Sequence, residues 1–185
     1  GKAIVFKQEG SSWYEVMRTI AHRNPVTAIT ISEKGDIATG GSDGTIGVSQ
    51  ICKPSDTFAM VDGHDNEVTK LAFVPDTTGR LISVSNDGSL GHWKCHFVTT
   101  GRGRQAAKCE QQQLVSNLHD DWINDLAILS HNTNQIIATA SNDCSIKLCR
   151  FRGMQHYSTL QGHSGAVISV SFLSAEQLLS GGVDG

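Results

Sequence analysis

The amino-acid sequence predicts an all-β fold built from repeated units of short antiparallel strands. Two observations carry that prediction. Nineteen glycines and only three prolines are spread over 185 residues, and many of the glycines stand beside Asp, Ser or His, which reads as many tight turns between short strands. One line then recurs four times along the chain, as IATGGSDGTIGV, LISVSNDGSLGH, IATASNDCSIKL and LLSGGVDG.

Each copy of the line carries an aspartate (Asp43, Asp87, Asp143, Asp184) with a hydroxyl four places before it (Thr39, Ser83, Thr139, Ser180). Upstream stands a histidine, His22, His64, His119 or His163, at 21, 23, 24 and 21 residues from its aspartate. Apolar residues follow each histidine by four, seven and nine places: Val26, Ile29 and Ile31; Val68, Leu71 and Phe73; Ile123, Leu126 and Ile128; Val167, Val170 and Phe172. The last two of each trio alternate, as in a strand with one buried face.

Taken in order, residues 21–62 form one whole unit, 63–117 a second, 118–161 a third, and 162–185 the first part of a fourth. The histidines are 42 residues apart from His22 to His64 and 44 from His119 to His163, but 55 from His64 to His119. An inserted loop is therefore expected at about 96–112. Each unit has three clear strands and a weaker one before the next histidine, in TFAMVDGH and YSTLQGH. Strands joined by turns of a few residues pair antiparallel. Such a sheet buries both faces only by packing against copies of itself.

These residues resemble the WD-repeat (tryptophan–aspartate repeat) β-propeller family. The resemblance is carried by Gly63-His64, by Gly162-His163 and by LISVSNDGSLGHW ending in Trp93, and it covers essentially the whole chain. It has departures. Ala21 and Leu118 replace the glycine before His22 and His119, Ser49 and Cys149 stand at the tryptophan position, and Gln50, Lys94 and Arg150 replace the signature aspartate. The family implies a β-propeller of four-stranded antiparallel blades, strands a to d. Gly1 to Gln8 then reads as a strand c, with its register open by one residue, and residues 1–20 as the end of a preceding blade. The expected architecture is a partial ring of three full blades plus two half-blades, as an internal fragment of a longer chain. A four-bladed ring closed by the two half-repeats is the alternative.

Composition narrows the function classes. The chain is 38% apolar and 18% charged, with net charge −3, so no global pull toward nucleic acid or an anionic membrane is expected. No apolar run approaches the roughly 20 residues of a membrane helix. Five cysteines without regular spacing predict reduced thiols in an intracellular protein, cytoplasmic or nuclear.

The stretch SNDGSLGHWKCH, residues 85–96, invites a metal reading through His92, Cys95 and His96. Strand alternation puts His92 and Cys95 on opposite faces, and separates His92 from His96 by roughly 13 Å. They cannot converge on one ion without a bulge. No metal and no cofactor are expected. His92 takes the slot of Val48 and Leu148 in its sister units. The family resemblance instead implies a buried relay of Asp87, His64, Ser83 and Trp93, with counterparts Asp43–His22–Thr39, Asp143–His119–Thr139 and Asp184–His163–Ser180. Its hydroxyl is tied to an indole rather than presented to a substrate. ATGGSDGTIG, residues 38–47, lacks the Gly-Lys-Ser/Thr ending of a phosphate loop and reads as a turn.

Partner contacts are implied, again by the family, three and five places after each histidine and just before each turn aspartate. These are Pro25, Thr27 and Ser42; Glu67, Thr69 and Asn86; Trp122, Asn124 and Asn142; Ala166, Ile168 and Val183. Trp122 stands beside Asp120 and Asp121, so it is either a hot spot for a basic partner or packing for a neighbouring loop. The expected function is a non-catalytic protein–protein interaction scaffold. One alternative is nucleic-acid binding through the basic insertion 94–108, with Lys94, Arg102, Arg104 and Lys108. The other is a propeller enzyme, disfavoured because the polar constellations recur in every unit.

Overall fold

The structure, a computed structural model, describes residues 1–20, 22–50, 59–99, 105–131 and 134–185. Among them there is no helix, so none is long and apolar enough to cross a membrane. The strands are β1 (Lys2–Glu9), β2 (Ser12–Ile20), β3 (Val26–Ile31), β4 (Asp36–Gly41), β5 (Thr45–Gln50), β6 (Ala59–Asp62), β7 (Val68–Phe73) and β8 (Arg80–Ser85). They continue as β9 (Leu90–Thr99), β10 (Gln105–Val115), β11 (Ile123–His131), β12 (Asn134–Ser141), β13 (Ser145–Arg150), β14 (Gln155–Gln161), β15 (Val167–Phe172) and β16 (Leu178–Gly182).

They form three four-stranded sheets, β3-β4-β5-β6, β7-β8-β9-β10 and β11-β12-β13-β14, flanked by the two-stranded sheets β1-β2 and β15-β16. All pairings are antiparallel. This is the expected set of three full blades plus two half-blades, and the ring is open.

Alternation decides what each blade buries. Val68, Leu71, Leu81 and Trp93 of the second blade meet Ala28, Ala38, Ile46 and Val48 of the first. Ile123, Leu126, Ile137 and Cys149 of the third meet Ile82, Val84 and Leu90 of the second. Val167 and Val170 of β15 meet Ala138, Ala140 and Ile146 of the third. The core is therefore a series of layers between blades, one face of each blade in each layer. In the three full blades strands b and c are largely buried on both sides, which is why their sequences read as nearly continuous apolar and small residues.

The b–c turn is set by the residue after the aspartate. Gly44 and Gly88 take φ of +78° and +74°, a region costly for residues with a Cβ. Cys144 occupies the same place with φ +67°.

The structure corrects two expectations. The insertion is not a loop in its described part: β9 and β10 run on as a paired hairpin, with Phe97 opposite Ala107 and packed against the first core layer. Extra length inserted between two paired strands continues their ladder, which satisfies its backbone groups. Residues 100–104, with Arg102 and Arg104, lie outside the described residues. The cysteines are also not all reduced. Cys95 and Cys109 face each other across β9 and β10 with Cα atoms 4.0 Å apart, and they form a disulfide. The hairpin register makes neighbours of two residues whose spacing in sequence looks arbitrary. Cys144 and Cys149 are free, and Cys52 lies outside the described residues.

Candidate functional site

Two groups of side chains gather where the d–a and b–c turns meet: a polar relay in each unit, its histidine side chain buried in the first three units and partly exposed in the fourth, and the exposed residues above it. In the second unit His64 Nδ1–H donates to Asp87 Oδ2 at 3.1 Å, and Nε2 accepts from Ser83 Oγ at 2.6 Å. The Trp93 indole N–H donates to Ser83 Oγ at 2.8 Å. In the third unit His119 reaches Asp143 and Thr139, each at 2.8 Å. In the fourth His163 reaches Asp184 and Ser180, each at 2.9 Å.

The first unit differs. His22 Nδ1 lies 3.6 Å from Asp43 and donates instead to Thr45 Oγ1 at 2.6 Å, while Nε2 meets Thr39 at 2.9 Å. Thr45 passes the bond on to Asp43 at 2.6 Å. This hydroxyl, two places after the aspartate, is the member the repeat pattern did not single out. Ser89 and Ser145 also bond their aspartates, and the signal is visible in sequence as Thr45, Ser89 and Ser145.

Where no indole is present, the strand-b hydroxyl turns to a strand-c carbonyl. Thr39 donates to Gly47 O at 3.4 Å and Thr139 to Lys147 O at 3.3 Å. Ser83 is fully buried. Its oxygen therefore cannot meet a substrate, although the constellation has the composition of a hydrolase triad.

Burial by itself would raise the Asp87 carboxyl, but hydrogen bonds from His64 and Ser89 overcome it and hold the group well below the usual carboxylate range. Asp43 and Asp143 are lowered in the same way, against burial, by bonds from Thr45 and from Ser145 and His119. Burial lowers His22 and His119. Asp87→Ala removes the acceptor of His64, Ser89 and the Asp65 N–H. We expect a loss of about 1–3 kcal/mol in denaturant titration, because buried donors are left without partners. An unchanged midpoint would remove the relay from the account of stability.

His92 is buried between blades. Arg80 Nη1 donates to its Nε2 at 3.2 Å, and its ring meets Phe151 of the next blade edge-on, centroids 4.8 Å apart. Among the described residues no group of three or more His, Cys, Asp or Glu is placed to hold a metal ion.

Above the relays the candidate partner residues stand in pairs. The N–H groups of Ser42, Asn86, Asn142 and Val183 donate to the carbonyls of Pro25, Glu67, Trp122 and Ala166 at 2.9–3.0 Å. Trp122 is half exposed, at 51%. Asn86, Asn117, Asp120, Asp121 and Trp122 border a polar depression of about 330 Å³. Asp120 and Asp121 make no ion pair among the described residues.

The residues five places after each histidine have their polar atoms engaged inside the ring. Thr27 donates to Val68 O at 2.7 Å, Thr69 to Ile123 O at 2.5 Å, and Asn124 to Val167 O at 2.8 Å. Each bridges to strand a of the next blade, and Ile168 has no such polar atom. A further bridge was missed in sequence. Asp125, buried, accepts Val170 N–H and Ser169 O–H at 3.0 Å and pairs with Lys70 at 3.0 Å, so one carboxylate joins strands of three blades. The Val170 N–H and Lys70 lower its carboxyl against the opposing effect of burial.

A family model described as WD domain, G-beta repeat matches residues 14–48, 53–94, 111–149 and 154–185. The chain is 29% identical over 145 residues to the U3 snoRNP-associated protein-like EMB2271 of Arabidopsis thaliana, covering 74% of this chain and 29% of that one. It is 28% identical over 160 residues to the nuclear distribution protein PAC1 of Candida albicans, covering 85% and 30%. It thus spans less than a third of the length of these relatives. Among solved structures, the computationally designed Ika4 protein superposes with a TM-score of 0.68 at 26% identity, over 90% of each chain.

Proposed function

From the premise that the chain belongs to the WD domain, G-beta repeat family, we propose that it is a non-catalytic binding platform whose working surface is the rim around Trp122. One observation carries this reading. An aromatic side chain of the kind enriched at binding hot spots stands half exposed beside Asp120 and Asp121, two carboxylates that make no ion pair among the described residues, over a turn braced by the relay. Asp120, Asp121 and Glu67 make the rim acidic. A peptide bearing arginine or lysine fits it, with its cation over the indole and against a carboxylate. Pro25, Ser42, Asn86 and Asn142 extend the rim, while Thr27, Thr69 and Asn124 serve it as braces between blades. No enzymatic step is assigned, since every candidate hydroxyl of the relays is engaged. The names of the relatives, a snoRNP-associated and a nuclear distribution protein, favour a place inside the cell.

The test is an array of basic and acidic peptides probed with the chain and with Trp122→Ala. Basic peptides should bind and lose about tenfold or more in affinity with the variant. Equal binding by both would move the working surface elsewhere. The nucleic-acid reading has less support. Lys108 is paired with Glu110, and the relevant arginines lie outside the described residues. It predicts RNA binding that weakens steeply with salt.

A further inference from the structure

We infer that Cys95 and Cys109 form a reversible thiol–disulfide exchange site, operated by a dithiol, which clamps the β9-β10 arm to the second blade and frees it on reduction. The pair marks the boundary between blade and arm. In the third blade Arg150 faces Gln155 across strands c and d, and residues 151–154 join them as a turn. The matching pair in the second blade is Lys94 opposite Glu110. Residues 95–109 therefore stand where the third blade has its turn. The two cysteines are the first and the last of them, 14 positions apart. A short turn holds two strand ends together at small entropic cost. A longer segment loses more freedom in doing so, and a covalent bridge at its base offsets that loss.

The blade itself does not need the bridge. In the third blade β13 and β14 pair over Ser145–Arg150 and Gln155–Gln161 without one, as β9 and β10 do over Leu90–Lys94 and Glu110–Val115. The arm is what the bridge secures. Beyond the cysteines His96, Phe97, Val98 and Thr99 pair with Lys108, Ala107, Ala106 and Gln105. Phe97 packs against the first core layer, but Val98 is 39% exposed.

The two sulfurs are held differently. The Cys95 N–H donates to Gly79 O at 2.7 Å, so β9 is tied on its inner side to the a–b turn of the same blade. Gly79 takes φ +64°, and a Cβ there would fall on the Cys95 carbonyl. β10 is the outermost strand, with no further strand paired to it among the described residues. Local opening of β10 alone thus brings the Cys109 Sγ into solvent while the rest of the blade stays closed.

The exchange is balanced by its reductant. One thiolate of a dithiol attacks the Cys109 Sγ, and Cys95 leaves as a thiolate that takes up a proton. The second thiol of the reductant then displaces Cys109, so the protein ends as two thiols and the reductant as its own disulfide. A small disulfide of the glutathione type reverses this through two exchanges and leaves as two thiols. Cys149 stays out of the exchange, because it is buried and burial pushes its thiol up to about 11. Cys144 sits in a b–c turn, at the opposite end of its blade from the c–d connections.

Hydrogen exchange of the 185-residue chain, read by mass spectrometry with and without dithiothreitol, tests the assignment. Intact mass after alkylation reports the state of the pair. The reduced chain should exchange the amides of residues 96–98 and 105–109 about tenfold faster or more, while β7, β8 and the third blade keep their rates. Glutathione disulfide should restore the slow rates. Cys109→Ser should show the fast rates with and without reductant. An arm equally protected in both states overturns the proposal, as does a slow arm in the variant. Faster exchange spread over all blades overturns it too, because the bridge then holds the whole fold. So does a pair that dithiothreitol cannot open, or glutathione disulfide cannot close, in native buffer.

Discussion

Trp93→Ala should lower the free energy of unfolding by about 3–5 kcal/mol, the range for emptying a large aromatic from a packed core. Trp93 is 1% exposed and heads the fully buried side chains by volume. It lies in the layer between the first and second blades with Leu71, Leu81 and Val48. Its loss opens a cavity there and strips Ser83 Oγ of the indole donor. Trp93→Phe separates the two effects: most of the apolar contact stays and the N–H goes, for an expected cost of about 1–2 kcal/mol. The other units supply an internal control. Ser49 and Cys149 are also buried at this position but offer no indole, and Thr39 and Thr139 already use carbonyl acceptors. Cys149→Ala should therefore cost much less than Trp93→Ala. Urea titration measures all three; a Trp93→Ala loss under about 1 kcal/mol would mean that the layer collapses onto the vacancy.

The strands were legible because one face of each unit repeats its apolar spacing, and Val68, Leu71 and Phe73 announce a strand without help from distant residues. The relay was legible because His64, Ser83, Asp87 and Trp93 fall within one unit and recur at one spacing. What stayed hidden lies between units. Thr69 meets Ile123, 54 positions away, and Asp125 meets Val170, 45 positions away. Neither distance is marked by anything in a single repeat, so Thr69 read as a partner contact and Asp125 did not stand out. The Cys95–Cys109 pair was hidden for a related reason. It depends on the insertion continuing as paired strands, and a run of Gly, Arg and Thr at its tip gives the opposite impression. His92 was read correctly as replacing Val48 and Leu148, but its Arg80 and Phe151 partners follow only from the packing of two blades.

Acid should destabilise the fold in two stages, and the upper stage belongs chiefly to His92. Burial pushes its imidazole down to about 4 from 6.5, with the Arg80 charge adding to the shift. Between those values the unfolded chain binds a proton that the folded chain refuses, so stability falls as pH falls from about 6.5 to about 4 and this group adds no further loss below. At 1.36 kcal/mol per unit the full loss is about 3 kcal/mol, and most of it should appear between about pH 7 and pH 4.5. His22 and His119, also lowered by burial, add to the same stage with the same sign. The lower stage belongs to the carboxylates. Asp43, Asp87, Asp125 and Asp143 are held below their ordinary range, so their contribution is present above the unfolded carboxylate value and is lost as pH falls through the folded ones. His92→Leu tells the stages apart, because leucine already fills this slot as Leu148 and carries no titrating group. Urea midpoints taken from about pH 7 to pH 4.5 should fall steeply for the wild type and much less for the variant, while below pH 4 both lose stability alike. If the two curves run parallel through the upper window, His92 is not the group that refuses the proton. The acid response would then rest on His22 and His119.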